Sequence, residues 1–147
     1  VRIGILADTH GLLRPRVLER LRGCELLLHA GDVGTPAVLA GLAALAPVVA
    51  VRGDNDRGEL AALPAVATGN RPAYRMTHRR EDIDPGWTRE ARLVVFGHSH
   101  RPELGWEGGC LLLNPGGCGR RRFRWPLTVA VVTVRDGRLV PEILEVE

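Results

Sequence analysis

Val94-Val95-Phe96-Gly97-His98-Ser99-His100 is the stretch whose reading decides the fold. An apolar run of β-branched and aromatic residues ends at a glycine, and two imidazoles follow with one residue between them. This is the pattern of a buried strand that delivers metal ligands at its C-terminal end. In an extended segment residues two apart share a face, but a turn opening at Gly97 lets His98 and His100 diverge, so that each can serve a different ion of a close pair. Two neighbouring histidines are equally well a polar loop. How the other strands end decides between these readings.

Residues 1–7 form a short apolar strand that ends in Asp8-Thr9-His10, and residues 25–29 form a second that runs into His29-Ala30-Gly31-Asp32. The third, residues 48–51, is followed by Gly53-Asp54-Asn55-Asp56, and a later one ends in Thr77-His78. With the His98 strand, each of these elements releases carboxylate or imidazole at its C-terminal side, where open α/β sheets place their sites. Mixed oxygen and nitrogen ligands suit Mn²⁺, Fe²⁺, Zn²⁺, Co²⁺ or Ni²⁺. The candidates are too many for one ion. Two ions about 3.5 to 4 Å apart, with one carboxylate bridging, would use them all and would activate a water for in-line attack at phosphorus.

Between the strands, residues 15–21 carry a helical pattern that Gly23 ends. Thr35-Pro36 is a helix start, a hydroxyl cap followed by proline at the first helical position, and Pro47 stops the alanine- and leucine-rich run after it. Strands alternating with helices predict parallel βαβ units with right-handed crossovers over the first 60 or so residues. Beyond Gly58 the elements shorten. Hairpins are expected around Gly69-Asn70, Gly108-Gly109 and Asp136-Gly137, with one short helix in the polar stretch 79–92. The expectation is a parallel half preceding a mainly antiparallel half, in two sheets packed face to face with helices outside.

A chain of 147 residues and 16.0 kDa predicts one domain, 1–147, with a substantial core. Hydrophobic residues at 45% and charged residues at 25% are globular proportions. No run approaches the roughly 18 to 20 apolar residues of a membrane helix, and residues 1–10 lack a signal-peptide pattern, so a cytoplasmic location is expected. Cys24, Cys110 and Cys118 have unrelated spacings and read as reduced packing residues. All 20 basic residues are arginine, whose planar fork suits phosphate.

Taken in order, the motifs Asp-x-His, Gly-Asp, the third-strand loop with Asp56, a lone His, Gly-His-x-His and Asn-Pro-Gly resemble those of the calcineurin-like metallophosphoesterases. The short form, with a basic segment and Trp125-Pro126 after the last motif, resembles the small bacterial and archaeal phosphodiesterases of that superfamily. The resemblance covers nearly the whole chain. It implies a four-layer α/β/β/α sandwich of two mixed β-sheets flanked by helices, and a dinuclear centre. Position by position, it assigns Asp8, His10 and His100 to one metal, His78 and His98 to the other, and Asp32 to a bridge between them. The family's third-motif asparagine also belongs to the second metal. Its slot here holds Asp54, with Asn55 in the variable slot, and either could be the ligand. Two further departures are Thr77-His78-Arg79-Arg80, where the family commonly has His-Gly-His, and Asn114-Pro115-Gly116-Gly117, which lacks the usual serine. Asn114 is expected to brace the ligand loops.

The function this implies is a metal-dependent phosphohydrolase, foremost a phosphodiesterase and secondarily a phosphomonoesterase, using a metal-bridging hydroxide and no further catalytic side chain. Manganese is the expected metal. Asn55 and Arg120 are the expected substrate contacts. Asn55 stands where the wider superfamily has a histidine that can help the leaving group, and an amide is no proton donor of useful pKa, so substrates with good leaving groups should react most readily. The substrate is expected to be a small phosphoester, with no membrane or nucleic-acid partner and with self-association left open. His29, on a buried strand, reads as a core histidine, and Asp56 as a brace for its loop. The arginines around Phe123 and Trp125 read as a solvated basic loop, with a phosphate or nucleic-acid patch as the sharper alternative. The rival function is a non-catalytic metal-binding interaction scaffold of the same fold, since a retromer subunit resembles these enzymes.

Overall fold

In a computed structural model that describes residues 1–122 and 124–147, β1 (Arg2–Leu6) alternates its side chains between two cores. Ile3 and Ile5 face the second sheet, while Leu6 faces the helices, and all three are fully buried. Each such side chain contributes about 1.5 to 3 kcal/mol by leaving water. After β1 come α1 (Pro15–Arg20), β2 (Leu26–His29), α2 (Pro36–Ala43) and β3 (Val48–Ala50). β1, β2 and β3 pair in parallel, as βαβ units require, and Val17, Leu21, Val38 and Leu42 pack against the outer face of their sheet.

The rest of the chain builds the second sheet and then returns to the first. A 3-10 turn (Gly58–Ala62) leads into β4 (Val66–Asn70) and β5 (Ala73–Thr77); α3 (Trp87–Glu90) precedes β6 (Leu93–Val95), and β7 (Glu103–Glu107) and β8 (Cys110–Asn114) form a hairpin. The final hairpin, β9 (Thr128–Arg135) and β10 (Arg138–Glu145), adds to the first sheet alongside β1. The strand orders are β10-β9-β1-β2-β3 and β4-β5-β6-β8-β7. Both sheets mix parallel and antiparallel pairs. They share a core of Ile3, Ile5, Leu28, Met76, Leu93, Val95, Leu111 and their neighbours. With α1 and α2 outside one sheet and α3 against β6 and β8 of the other, the layers run α/β/β/α.

The second half is mainly antiparallel, as expected: β4 pairs with β5, β7 with β8, and β9 with both β10 and β1 in that sense. Its middle strands β5, β6 and β8 run parallel to one another, and the last hairpin belongs to the first sheet, because the apolar β9 completes the core beside β1. Two expectations need correction. The first hairpin turns at Arg71-Pro72, with Asn70 opposite Ala73, so Gly69-Asn70 lies within β4. Proline cannot donate to a ladder and is well placed in a turn. Thr35 does occupy the N-cap of α2 in extended conformation, but its hydroxyl makes no capping bond. The hairpins around Gly108-Gly109 and Asp136-Gly137 lie as expected.

The topology levels the strand ends. Leu6, His29 and Ala50 are register partners across β1, β2 and β3, so the loops that begin at Asp8, Ala30 and Val51 leave the sheet at one height. Met76 and Val95 are partners in the other sheet, which brings His78 beside Gly97. Gly97 N donates to His78 O at 2.9 Å within that sheet, and His98 N donates to Asp8 Oδ2 at 3.0 Å, which joins the two sheet edges.

Candidate metal centre

Among the described residues, six besides glycine have positive φ: Asp136 in a hairpin turn, and Asp8, His10, Asp32, His98 and His100. Left-handed backbone costs such residues roughly 1 to 3 kcal/mol and persists where surrounding structure enforces it, typically at functional sites. Here it turns five side chains off their strand ends toward a common point.

These side chains form two groups. Asp8, His10 and His100 can each present a ligand atom within 4.8 Å of the others, and so can Asp32, Asp54, His78 and His98. Asp32 joins the groups: its Oδ2 is 3.3 Å from His78 Nε2 and 3.7 Å from His10 Nε2. The rings of His10 and His100 stack with centroids 5.3 Å apart, whereas His78 and His98 meet edge to face. His98 and His100 thus diverge from the Gly97 turn into different groups. Asp54 lies in the second group, with Oδ2 3.2 Å from His98 Nδ1, while Asn55 is tied to Asp32 instead.

Asp8 Oδ1, His10 Nε2 and His78 Nε2 are buried and lack any hydrogen-bond partner among the described residues. His78 Nε2 is within ion-pair distance of Asp32 but is not aligned for a hydrogen bond. A buried polar atom left unpaired costs about 1 to 3 kcal/mol. Three of them converging among carboxylates and imidazoles fit divalent cations of the Mn²⁺ to Zn²⁺ type, which take mixed oxygen and nitrogen donors.

The electrostatics describe a site under strain from its own charges. Burial, with Asp32 and Asp54 nearby, pushes the Asp8 carboxyl up to about 7, although His78 pulls the other way. Burial would lower His78, but the Asp32 and Asp8 carboxylates and the Ala30 carbonyl outweigh it and hold the imidazole up at about 9. Asp32 is opposed by its own burial, yet His78 and the Asn55 N–H keep it below the ordinary carboxylate range. His100 is pushed down to about 4 by burial, His10 and Arg122, and His10 is lowered chiefly by burial. Both therefore stand as neutral imidazoles, the form that binds metal.

Other side chains hold this frame. Asp56 accepts from three backbone N–H groups, Asp32 and Gly53 on Oδ2 and Gly34 on Oδ1, so it braces its loop and lies outside both ligand groups. Asn114 Nδ2 donates to Gly97 O and Ser99 Oγ, both at 3.1 Å, which fixes the turn between β6 and His100. Gly117 stands where the resembling pattern has serine, and a Cβ there would come within 2.6 Å of His100 Nδ1. His29 is fully buried and spends both nitrogens: Gly31 N–H donates to Nδ1, and Nε2 lies 3.0 Å from Thr9 Oγ1, whose hydroxyl donates to Val33 O. Nε2 must then carry the proton. Burial drives its pKa down to about 3, and the ring is a core histidine.

The ligand groups open onto a cavity of about 350 Å³ whose wall also includes Asn55, Ser99 and Arg122. Asn55 N donates to Asp32 Oδ1 at 2.9 Å. Arg120 is exposed and donates from Nε to His10 O at 3.3 Å. Arg121 and Arg124 are exposed, and Phe123 lies outside the described residues. Two features escape the sequence reading. Arg122, not singled out within its cluster, is the arginine of the cavity wall, and Arg79 grips Asp54. The signal for the second was present: a slot that gains a negative charge and one that gains a positive charge, both beside candidate metal ligands.

The calcineurin-like phosphoesterase superfamily domain matches residues 1–137. The chain belongs to that superfamily. A probable metallophosphoesterase of Methanothermobacter thermautotrophicus is 30% identical over 157 aligned positions, which cover 97% of this chain and 91% of the relative. Among solved structures, a novel archaeal phosphodiesterase superposes with a TM-score of 0.80 at 21% identity, over 98% of this chain and all of the other. The D62A mutant of Vps29 from Entamoeba histolytica superposes at 0.76 with 19% identity, over 99% of each chain. At these identities the two structures establish the shared fold.

Proposed function

We propose that this calcineurin-like phosphoesterase is a phosphodiesterase dependent on two divalent ions, manganese foremost. Asp8, His10 and His100 would hold one ion, Asp54, His78 and His98 the other, and Asp32 both. The observation that supports this best is the pair of candidate ligand groups joined at Asp32, with three buried atoms that find no hydrogen-bond partner among the described residues. When bound, the ions would supply Lewis-acid activation of water for in-line attack at phosphorus and would offset the charge of the phosphoryl oxygens.

The chain's own residues set the rest. Asn55 and Ser99 present hydrogen-bonding groups at the cavity wall, and Arg122 adds a fork suited to phosphate oxygens. The backbone bond from Asn55 to Asp32 keeps that carboxylate ionised and in place. No proton can come from the Asn55 amide to a departing alkoxide, so diesters with good leaving groups should react fastest. Among the described residues no helix is long and apolar enough to cross a membrane, which is compatible with a small diffusible phosphoester as substrate.

The test is hydrolysis of an aryl phosphodiester before and after chelation. Activity should vanish with the metal and return with Mn²⁺ or a neighbour in the series. Undiminished turnover by protein verified as metal-free would overturn the proposal.

A further inference from the structure

The Asp54 carboxylate is held by Arg79 in a fork: Nε donates to Oδ1 at 2.9 Å and to Oδ2 at 3.1 Å, and Nη2 donates to Oδ2 at 2.7 Å. Arg79 follows His78 directly, and by the motif resemblance it stands in a glycine slot while Asp54 stands in an asparagine slot. The two departures lie in loops that follow strands of different sheets, yet the fold brings them into contact. Each carboxylate oxygen has more than one acceptor site, so Arg79 can keep its bonds while Asp54 still offers an oxygen to the group formed with Asp32, His78 and His98.

We propose that Arg79 is a built-in counter-charge for Asp54, so that the pair acts toward the second ion as a ligand of no net charge, equivalent to the neutral amide it replaces. The inference rests on the dinuclear reading above. Two divalent ions bring four positive charges, and Asp8, Asp32 and Asp54 return three negative ones, leaving one positive. The Arg79 guanidinium restores the sum to two, the value for asparagine at position 54 with no arginine nearby. Charge adjacent to an ion governs how tightly that ion is held. Arg79→Ala lowers the sum to one and should tighten the second ion, Asp54→Asn raises it to three and should loosen it, and the double variant returns it to two. The pair is partly exposed, so water screens the effect, and a change of about tenfold is expected in each single variant.

The sign separates this role from that of a strut. If Arg79 only positioned Asp54, its removal would let the carboxylate wander and would weaken binding. The experiment is calorimetric titration of the ion-free full chain with Mn²⁺, for wild type, Arg79→Ala, Arg79→Lys, Asp54→Asn and Asp54→Asn/Arg79→Ala, with thermal unfolding to verify that each is folded. Support is a second ion held about tenfold tighter by Arg79→Ala, about tenfold weaker by Asp54→Asn, and with near wild-type affinity by Arg79→Lys and by the double variant. Two ions bound by wild type, but a second ion held no tighter by Arg79→Ala, would overturn the counter-charge and leave the dinuclear reading standing. Fewer than two ions bound by the folded wild type would overturn the dinuclear reading itself.

Discussion

His78 Nδ1 lies 2.7 Å from the Ala30 carbonyl, and because a carbonyl can only accept, Nδ1 carries a proton and Nε2 is the atom left for an ion. The same nitrogen faces Asp32, and the imidazole is held up at about 9, so at neutral pH a proton occupies the position an ion would take.

Metal uptake should therefore release protons. At pH 7.5, binding of Mn²⁺ is expected to expel about one proton from His78, and apparent affinity should rise with pH until it levels near pH 9. Titration in buffers of different ionisation enthalpy measures the number released. Asp8, held up to about 7, adds a second proton when the experiment is moved to pH 6. Binding without proton release at pH 7.5 would show that His78 is not a ligand.

His29 and His98 offer the contrast between a core histidine and a proposed metal ligand. His98→Ala and His100→Ala should each lose bound metal, while His29→Ala should keep both ions. The latter should instead lose about 3 kcal/mol of stability, through a cavity and a buried Gly31 N–H left without its acceptor. Its pH dependence has a definite sign. The folded-state pKa is about 3 and the ordinary value 6.5, so between these limits the unfolded chain binds the extra proton, and stability falls as pH falls through the window. Denaturant unfolding at pH 7 and pH 4 should show a smaller acid loss in His29→Ala than in wild type. Equal losses would place the sensitivity elsewhere.

Much of this could be read in the chain because metal ligands need particular side chains at strand ends, and strand ends are marked by apolar runs that stop at glycine or aspartate. The βαβ half followed from its 3.6-residue and buried-strand patterns. What escaped reading depended on contacts between distant segments. Nothing local to residues 127–146 says which sheet the hairpin joins; that is decided by where β1 has an unpaired edge. Nor does Arg79 announce its partner, since Asp54 is 25 residues away in sequence, in a loop that follows a strand of the other sheet. Arg120 and Arg122 are indistinguishable as letters, and only the fold of their loop places Arg122 at the cavity.

Gly53 is expected to be as sensitive as any ligand. A Cβ there would fall on the backbone nitrogen and carboxylate of Asp32, neither of which can retreat, because Asp56 and Asn55 hold them. Gly53→Ala should displace the Asp32 carboxylate, the proposed bridge, and lower affinity for both ions at least tenfold, although residue 53 has no side chain to ligate. Metal content by elemental analysis, beside a circular dichroism spectrum that verifies the fold, checks this. Two tightly bound ions in folded Gly53→Ala would mean that Asp32 is free to move.

Arg122 and Arg120 should separate kinetically. Arg122 lines the cavity and lies close enough to His10 and His100 to oppose their protonation, whereas Arg120 meets the protein through the His10 carbonyl. An exposed guanidinium aimed at an anionic substrate contributes mainly to its capture, equally in ground and transition states. Losing it raises KM and leaves kcat nearly unchanged. Arg122→Ala is thus expected to raise KM for an aryl phosphodiester about tenfold and to flatten the fall of kcat/KM with salt, because one screened attraction is gone. Arg120→Ala should leave KM and the salt slope near wild type. The measurement is steady-state hydrolysis at low and high ionic strength with metal saturating. If instead Arg120→Ala raises KM and Arg122→Ala does not, the bond to His10 O opens when substrate arrives, and the phosphate contact belongs to Arg120.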